Sequence, residues 1–309
     1  MKVKRLNVYN QNPDDQVNNE YPTQPDAFKQ PCLQMIVGQR TAGKSYLTSK
    51  ILAQAKKDKT FDKIYIITPS FNSNKAYFGK YIDEEDVFEP TKESISQVIA
   101  KVEQDRDEFE QYLAEKQLYK DFNKKFREKS QLSDDELIMY YEKGFFFENG
   151  APKWKYDKEE PPKSLLILDD CLGSPAILQS SGLTKIASLN RHIAPLKENH
   201  SNRSACGLSV IILSQSYKMQ NGISRVLREN LSLLTLFKNK QEQQVKSIKE
   251  ELANVVDEEL FNKAYEYATH EKYGSLTVDF APKCDTKVFR KNLNEIIVFD
   301  ELSCNCGKK

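Results

Sequence analysis

Leu33-Gln34-Met35-Ile36-Val37-Gly38-Gln39-Arg40-Thr41-Ala42-Gly43-Lys44-Ser45-Tyr46-Leu47 is the stretch that decides the fold. Gly38 to Ser45 spell G-x-x-x-x-G-K-S, the phosphate-binding loop. The apolar Met35-Ile36-Val37 before it suits a buried parallel strand, and Leu47, Ile51 and Leu52 after it recur at helical spacing. The motif thus stands between a strand and a helix, where its chemistry needs it. Gly38 and Gly43 permit a tight turn and close approach of backbone to phosphate oxygens. Gly38, Gln39, Arg40, Thr41, Ala42, Gly43, Lys44, Ser45 and Tyr46 form the expected cradle, with loop amides and the helix N-terminus aimed at the anion. Lys44 would reach the β- and γ-phosphates of ATP, and the Ser45 hydroxyl would take one Mg²⁺ position.

The chain has 309 residues, room for one large α/β domain with an insertion. It is 39% hydrophobic and 29% charged, which is polar for one compact core and points to exposed helical segments. A net charge of +1 gives no global field for nucleic acid, so any basic patch is local. No apolar run follows Met1-Lys2-Val3-Lys4-Arg5, and no stretch reaches membrane-spanning length, so neither a secretory signal nor a membrane partner is expected. The scattered cysteines at 32, 171, 206, 284, 304 and 306 fit reduced intracellular thiols. The pair Cys304 and Cys306 is too small a set for zinc.

Residues 1–30, rich in Asn, Gln, Asp and Pro, read as an extended arm that either packs on a neighbour or moves freely. Lys63–Thr68 is a second buried strand. Between residues 91 and 129 charged text carries Ile95, Val98, Ile99, Val102, Phe109, Tyr112 and Leu113 at helical spacing. Ser133 with Glu136 three residues on marks a helix start. Phe145–Phe147 and Trp154–Tyr156, separated by Asn149-Gly150, read as a hairpin. Residues 91–162 are therefore expected to be an insertion, helical with a hairpin, in a core made of 31–90 and 163–280. It is either a solvated arm or a subunit contact or lid. Residues 281–309 are expected to form a C-terminal tail.

Ser164-Leu165-Leu166-Ile167-Leu168-Asp169-Asp170 is a buried strand with two carboxylates at its C-terminal end, where open α/β sheets place ligands. Asp169 would hold Mg²⁺ and Asp170 would polarise attacking water. Gly207–Leu213 is a further strand, tipped by Ser214-Gln215-Ser216. The Gln215 amide either senses the γ-phosphate or orients water, or it simply closes a turn. Leu231–Phe237 follows as another apolar strand, then helices near 241–252 and 257–268, and a late strand at Ser275–Asp279.

Between Gly182 and Gln241 stand Lys185, Arg191, Lys197, Arg203, Lys218, Arg225, Arg228, Lys238 and Lys240, opposed only by Glu198 and Glu229. Three readings stay open: contact with DNA phosphates, an arginine finger for a neighbouring subunit, and an ordinary solvated face.

The extra strand between the two nucleotide motifs resembles the additional-strand ATPases. The succession Asn190-Arg191-His192, Leu208–Gln215, Ile223–Asn230 and the strand ending Leu236-Phe237 is similar to the genome-packaging ATPases of poxviruses, other large DNA viruses and virophages, within the FtsK–HerA superfamily. The resemblance spans about residues 33–237. It implies an α/β P-loop NTPase core with a mostly parallel central sheet, whose sensor strand lies between the phosphate-loop strand and the acidic strand. It also implies ATP-driven translocation of double-stranded DNA into a capsid, through its portal vertex, by a homo-oligomeric ring in the virion or host-cell cytoplasm. Gln215 matches the sensor. Arg191 is the preferred finger, with Arg228 and Arg203 behind it. The long insertion departs from the compact family core, and no nuclease-like domain is evident after residue 240. Two other classes compete: a nucleotide-dependent assembly scaffold, and a small-molecule kinase, which the acidic pair and Gln215 disfavour.

Overall fold

The computed structural model describes residues 19–299, except 22, 130, 148–149, 172, 219–223, 240, 254–255. Most of the expected N-terminal arm, the hairpin's Asn149, Lys240 and the Cys304/Cys306 pair lie outside the described residues.

Eleven strands are present among the described residues: β1 Leu33–Val37, β2 Lys63–Ile67, β3 Val87–Phe88, β4 Ser164–Asp169, β5 Pro195–His200, β6 Arg203–Ala205, β7 Leu208–Ser214, β8 Leu233–Phe237, β9 Ser275–Asp279, β10 Phe289–Lys291 and β11 Glu295–Ile297. Nine form one sheet in the order β11-β10-β9-β8-β1-β7-β4-β2-β3. From β8 to β3 it is parallel, and β9, β10 and β11 add antiparallel neighbours. Strand β7, which carries Gln215 at its tip, lies between β1 and β4, the additional-strand topology that the resemblance implies.

Strand periodicity sorts side chains onto two faces. Leu33, Met35, Val37, Leu166, Leu168, Val210 and Ile212 look one way, and Ile36, Leu165, Ile167, Ile211 and Leu213 the other. The second face packs on helix α1 (Lys44–Asp58), through Leu47 and Leu52, and on α2 (Phe71–Phe78), through Phe78. The first face packs on α3 (Ser94–Arg127), then, after α4 (Asp134–Glu142) and the short α5 (Pro175–Leu178), on α6 (Ser181–Leu189). It also takes the one-turn α7 (Arg225–Glu229), α8 (Glu242–Leu252) and α9 (Glu258–Thr269). The central strands read as unbroken apolar runs because both faces are covered. Gln34 is one exception: buried in β1, it donates to Thr235 Oγ1 at 3.1 Å, and Thr235 pairs with Thr277 Oγ1 at 2.8 Å, so a polar chain crosses three strands.

The expected insertion begins with α3, 34 residues long, or about 51 Å. Its first turns bury Ile95, Val98, Ile99 and Val102 on the sheet. Beyond the sheet, Phe109 packs edge-on against Trp154 and His200, with ring centroids 5.1 and 5.3 Å apart. The tip closes with α4, whose Ser133–Glu136 capping box is formed as expected. No strand occurs among the described residues of 143–163, so the expected hairpin does not form there. Phe145 instead joins Phe122 and Tyr140 in a small aromatic cluster, and Trp154 and Tyr156 cover α3. Their aromatic content reflects packing on a helix rather than strand pairing.

Two further expectations change. Residues 281–299 are not merely a tail, since β10 and β11 widen the main sheet. Described residues of the N-terminal arm pack on the chain's own body: Tyr21 is buried and donates its hydroxyl to the Gly207 carbonyl at 3.0 Å. Cys32, Cys171 and Cys206 are buried free thiols. No helix among the described residues is long and apolar enough to cross a membrane.

Candidate nucleotide site

The C-terminal ends of β1, β7 and β4 converge on the loop 38–43. Its start is fixed to β7 by the Gly38 amide, which donates to the Ser214 carbonyl at 3.0 Å. A Cβ on Gly38 would lie 3.0 Å from both Ala42 Cβ and Phe237, so bulk here would push the loop off β8. Gly43 has φ 107, a conformation that favours glycine, and α1 begins directly after it. The Lys44 ammonium folds over the turn, donating to the carbonyls of Gly38 at 2.7 Å and Gln39 at 3.2 Å. Burial pushes its pKa down, opposed by the charges of Asp170 and Asp169, which places the lysine within electrostatic reach of both acids. Ser45, half-buried in the first turn of α1, completes the expected constellation.

The two carboxylates differ in setting. Asp169 is 5% exposed. Its Oδ2 accepts from Asn74 Nδ2 at 2.8 Å and from Thr68 Oγ1 at 3.4 Å. Burial, then the neighbouring Asp170, holds its pKa above the ordinary carboxylate range. Asp170 leaves the strand with φ 53 and is exposed. Gln215, at the tip of β7, donates its amide to Asp170 Oδ1 at 3.1 Å. So the sheet order brings together Lys44, Asp169, Asp170 and Gln215. A strand–glycine loop–helix cradle beside a buried strand-end aspartate decides the fold class.

This is a P-loop NTPase core.

No protein-family description matches the chain, and no curated protein does. Among solved structures, the P-loop core is similar to the genome packaging NTPase B204 of Sulfolobus turreted icosahedral virus 2 in complex with ATP-gammaS. That likeness has 12% identity and a TM-score of 0.42, over 86% of this chain and 98% of that one. The DNA-packaging ATPase B204 of Sulfolobus turreted icosahedral virus gives 12% identity and a TM-score of 0.41, over 84% and 96%. The pCW3 conjugation coupling protein TcpA gives 13% and 0.37, over 70% of this chain and 51% of that one. Likeness at this level supports no inference about activity.

Thr68, Asn74 and Asn239 contact the candidate site residues and were not singled out by the sequence. Asn239 accepts from Gln39 Nε2 at 3.5 Å and donates to Gln244, which in turn donates to Ser216 Oγ at 2.7 Å, tying the tips of β8 and β7 through α8. Thr68, just beyond β2 and beside β4, had a legible signal. Asn74, in a helix, had none.

The arginine candidates separate. Arg203 is 1% exposed and donates to the carbonyls of Pro161, Pro162 and Cys206, with Tyr21 4.6 Å away across its plane. It is a structural cross-tie, too buried and too fully engaged to serve as a finger. Arg203→Ala should lower unfolding free energy by about 3 kcal/mol, because buried carbonyls lose a charged donor. Urea denaturation checks this, and an unchanged midpoint would contradict it. Arg228 donates to Glu251 at 2.8 Å and lies over Tyr217, so it is engaged within its own chain. Arg191 follows Asn190, whose amide donates to the Leu208 carbonyl at the start of β7. The phosphate loop is at the other end of that strand, about 20 Å off, so Arg191 does not reach the loop of its own chain.

Among the described residues, five cations of the basic segment are ion-paired, Arg228 being one of them. Lys185 pairs with Glu103, Lys197 with Glu110, Lys218 with Glu251, and Arg225 with Glu229. The partners come mainly from α3 and α8, outside the segment.

Proposed function

We propose that this chain is an ATP-hydrolysing motor of the FtsK–HerA superfamily that moves double-stranded viral DNA into a capsid. The observation that carries the hydrolytic part is the Gln215–Asp170 hydrogen bond across β7 and β4. An exposed carboxylate held by an amide at the mouth of the phosphate loop suits the ordering and deprotonation of water. A kinase would need an acceptor pocket there instead.

In this reading the loop amides and Lys44 hold the β- and γ-phosphates. Asp170 takes the proton of the attacking water, and Gln215 fixes the carboxylate and reports on the γ-phosphate. Ser45 and Asp169 fit Mg²⁺. Their donors are all oxygen, and Asp169 Oδ1 takes no hydrogen bond from the described residues while Asn74 and Thr68 orient Oδ2. The bound ion would neutralise charge on the phosphates. Arg191, remote from its own loop, is the finger offered to the next subunit of a homo-oligomeric ring. DNA and capsid portal as partners, and a virion or host-cytoplasm location, rest on the order of motifs read from the sequence.

An assembly scaffold remains the second reading because the tip of the α3–α4 arm exposes Phe126, Ile138, Tyr141 and Phe147, an apolar surface suited to protein contact. Steady-state ATP hydrolysis with and without double-stranded DNA, at two salt concentrations, separates the two. A motor should be stimulated several-fold by DNA, with the stimulation fading as salt rises. Slow hydrolysis indifferent to DNA would support the scaffold.

A further inference from the structure

Asp169, Asp170 and Gln215 fix the polarity of a nucleotide on the phosphate loop. They rise from β4 and β7, on one side of β1. The terminal phosphate belongs with them, so the ribose and base run out on the opposite side, toward β8 and β9. Two aromatic rings stand against the loop there. A Cβ on Gly43 would lie 3.4 Å from Phe237 Cε1 and 3.6 Å from Tyr273 Cδ1. Phe237 is 4% exposed and belongs to the core, whereas Tyr273 is 57% exposed. Because β9 runs antiparallel to β8, with Ser275 opposite Phe237, the α9–β9 turn delivers Tyr273 to the nucleotide edge of the sheet. The residue holds φ 68, which bulky side chains rarely adopt. The Lys272 ammonium lies 4.9 Å from the ring centroid.

We propose that Tyr273 is the stacking platform for the purine base of the bound nucleotide, resting on nucleotide binding at the phosphate loop as read above. A solvent-facing ring beside the loop offers a flat apolar surface to a base, and stacking needs no hydrogen-bond code. The ring acts on the base alone, so its contribution vanishes for a ligand that has only the phosphates.

The test compares ATP with inorganic tripolyphosphate, each with Mg²⁺, by calorimetric titration of the full chain. Tyr273→Gly removes the ring and suits the positive φ, so it folds. It should weaken ATP about ten-fold and leave tripolyphosphate unchanged, while Tyr273→Phe keeps wild-type affinity for both. Unchanged ATP affinity in Tyr273→Gly, or equal losses for both ligands, would overturn the platform while leaving the phosphate loop intact. Wild-type protein that binds neither ligand would overturn the nucleotide reading itself, and the platform with it.

Discussion

Lys44→Ala should reduce ATP turnover by about 10³-fold or more, the scale of removing a preorganised charge from a phosphoryl-transfer site. The structure explains why the loss should be large and local. The ammonium is half-buried at the loop, where charge acts more strongly than in water, and it faces no competing salt bridge among the described residues. Burial disfavours the charged form and lowers its pKa, a cost that a phosphate anion beside it would offset. The fold should survive, because the side chain contributes only two hydrogen bonds to loop carbonyls, worth about 1 kcal/mol each. Hydrolysis assays beside thermal unfolding check both halves. Near-normal turnover in a folded variant would place the chemistry elsewhere.

The sheet's centre was legible because β1, β4, β7 and β8 are buried on both faces, which leaves a continuous apolar signature with polar residues at one end. That same feature made Asp169, Asp170 and Gln215 visible, and the resemblance to additional-strand ATPases implied that β7 lies between β1 and β4. What was not legible depends on distant partners. Arg203 looks like any surface arginine until Pro161 and Pro162, some forty residues earlier, bring their carbonyls to it. The basic segment looked unopposed because Glu103, Glu110 and Glu251 lie on other elements. Strands of two or three residues, such as β3, β10 and β11, carry too little periodicity to detect. The aromatic run Phe145–Phe147 has strand composition but closes the α3–α4 tip, where tertiary packing overrides propensity.

Asp170→Asn should keep Mg·ATP binding and lose hydrolysis by about 10²- to 10⁴-fold, the range for a general base. The substitution is a clean one. Asparagine tolerates the left-handed φ of 53 at least as well as aspartate, and its side-chain oxygen still accepts from Gln215. Only the charge and the proton-accepting capacity go. The neighbouring carboxylate gives the sign of the effect on binding. Asp169 is held above the ordinary carboxylate range by burial first and by Asp170 second. Removing the second cause lets Asp169 ionise at lower pH, which favours rather than weakens a cation at its free oxygen. Affinity for Mg·ATP, measured by titration in the variant, should therefore stay at wild-type level or rise. Asp169→Asn should do the opposite and lose affinity, since it removes the buried charge that Asn74 and Thr68 orient. If Asp170→Asn instead abolishes binding, the exposed carboxylate is a metal ligand, and the base must be sought elsewhere.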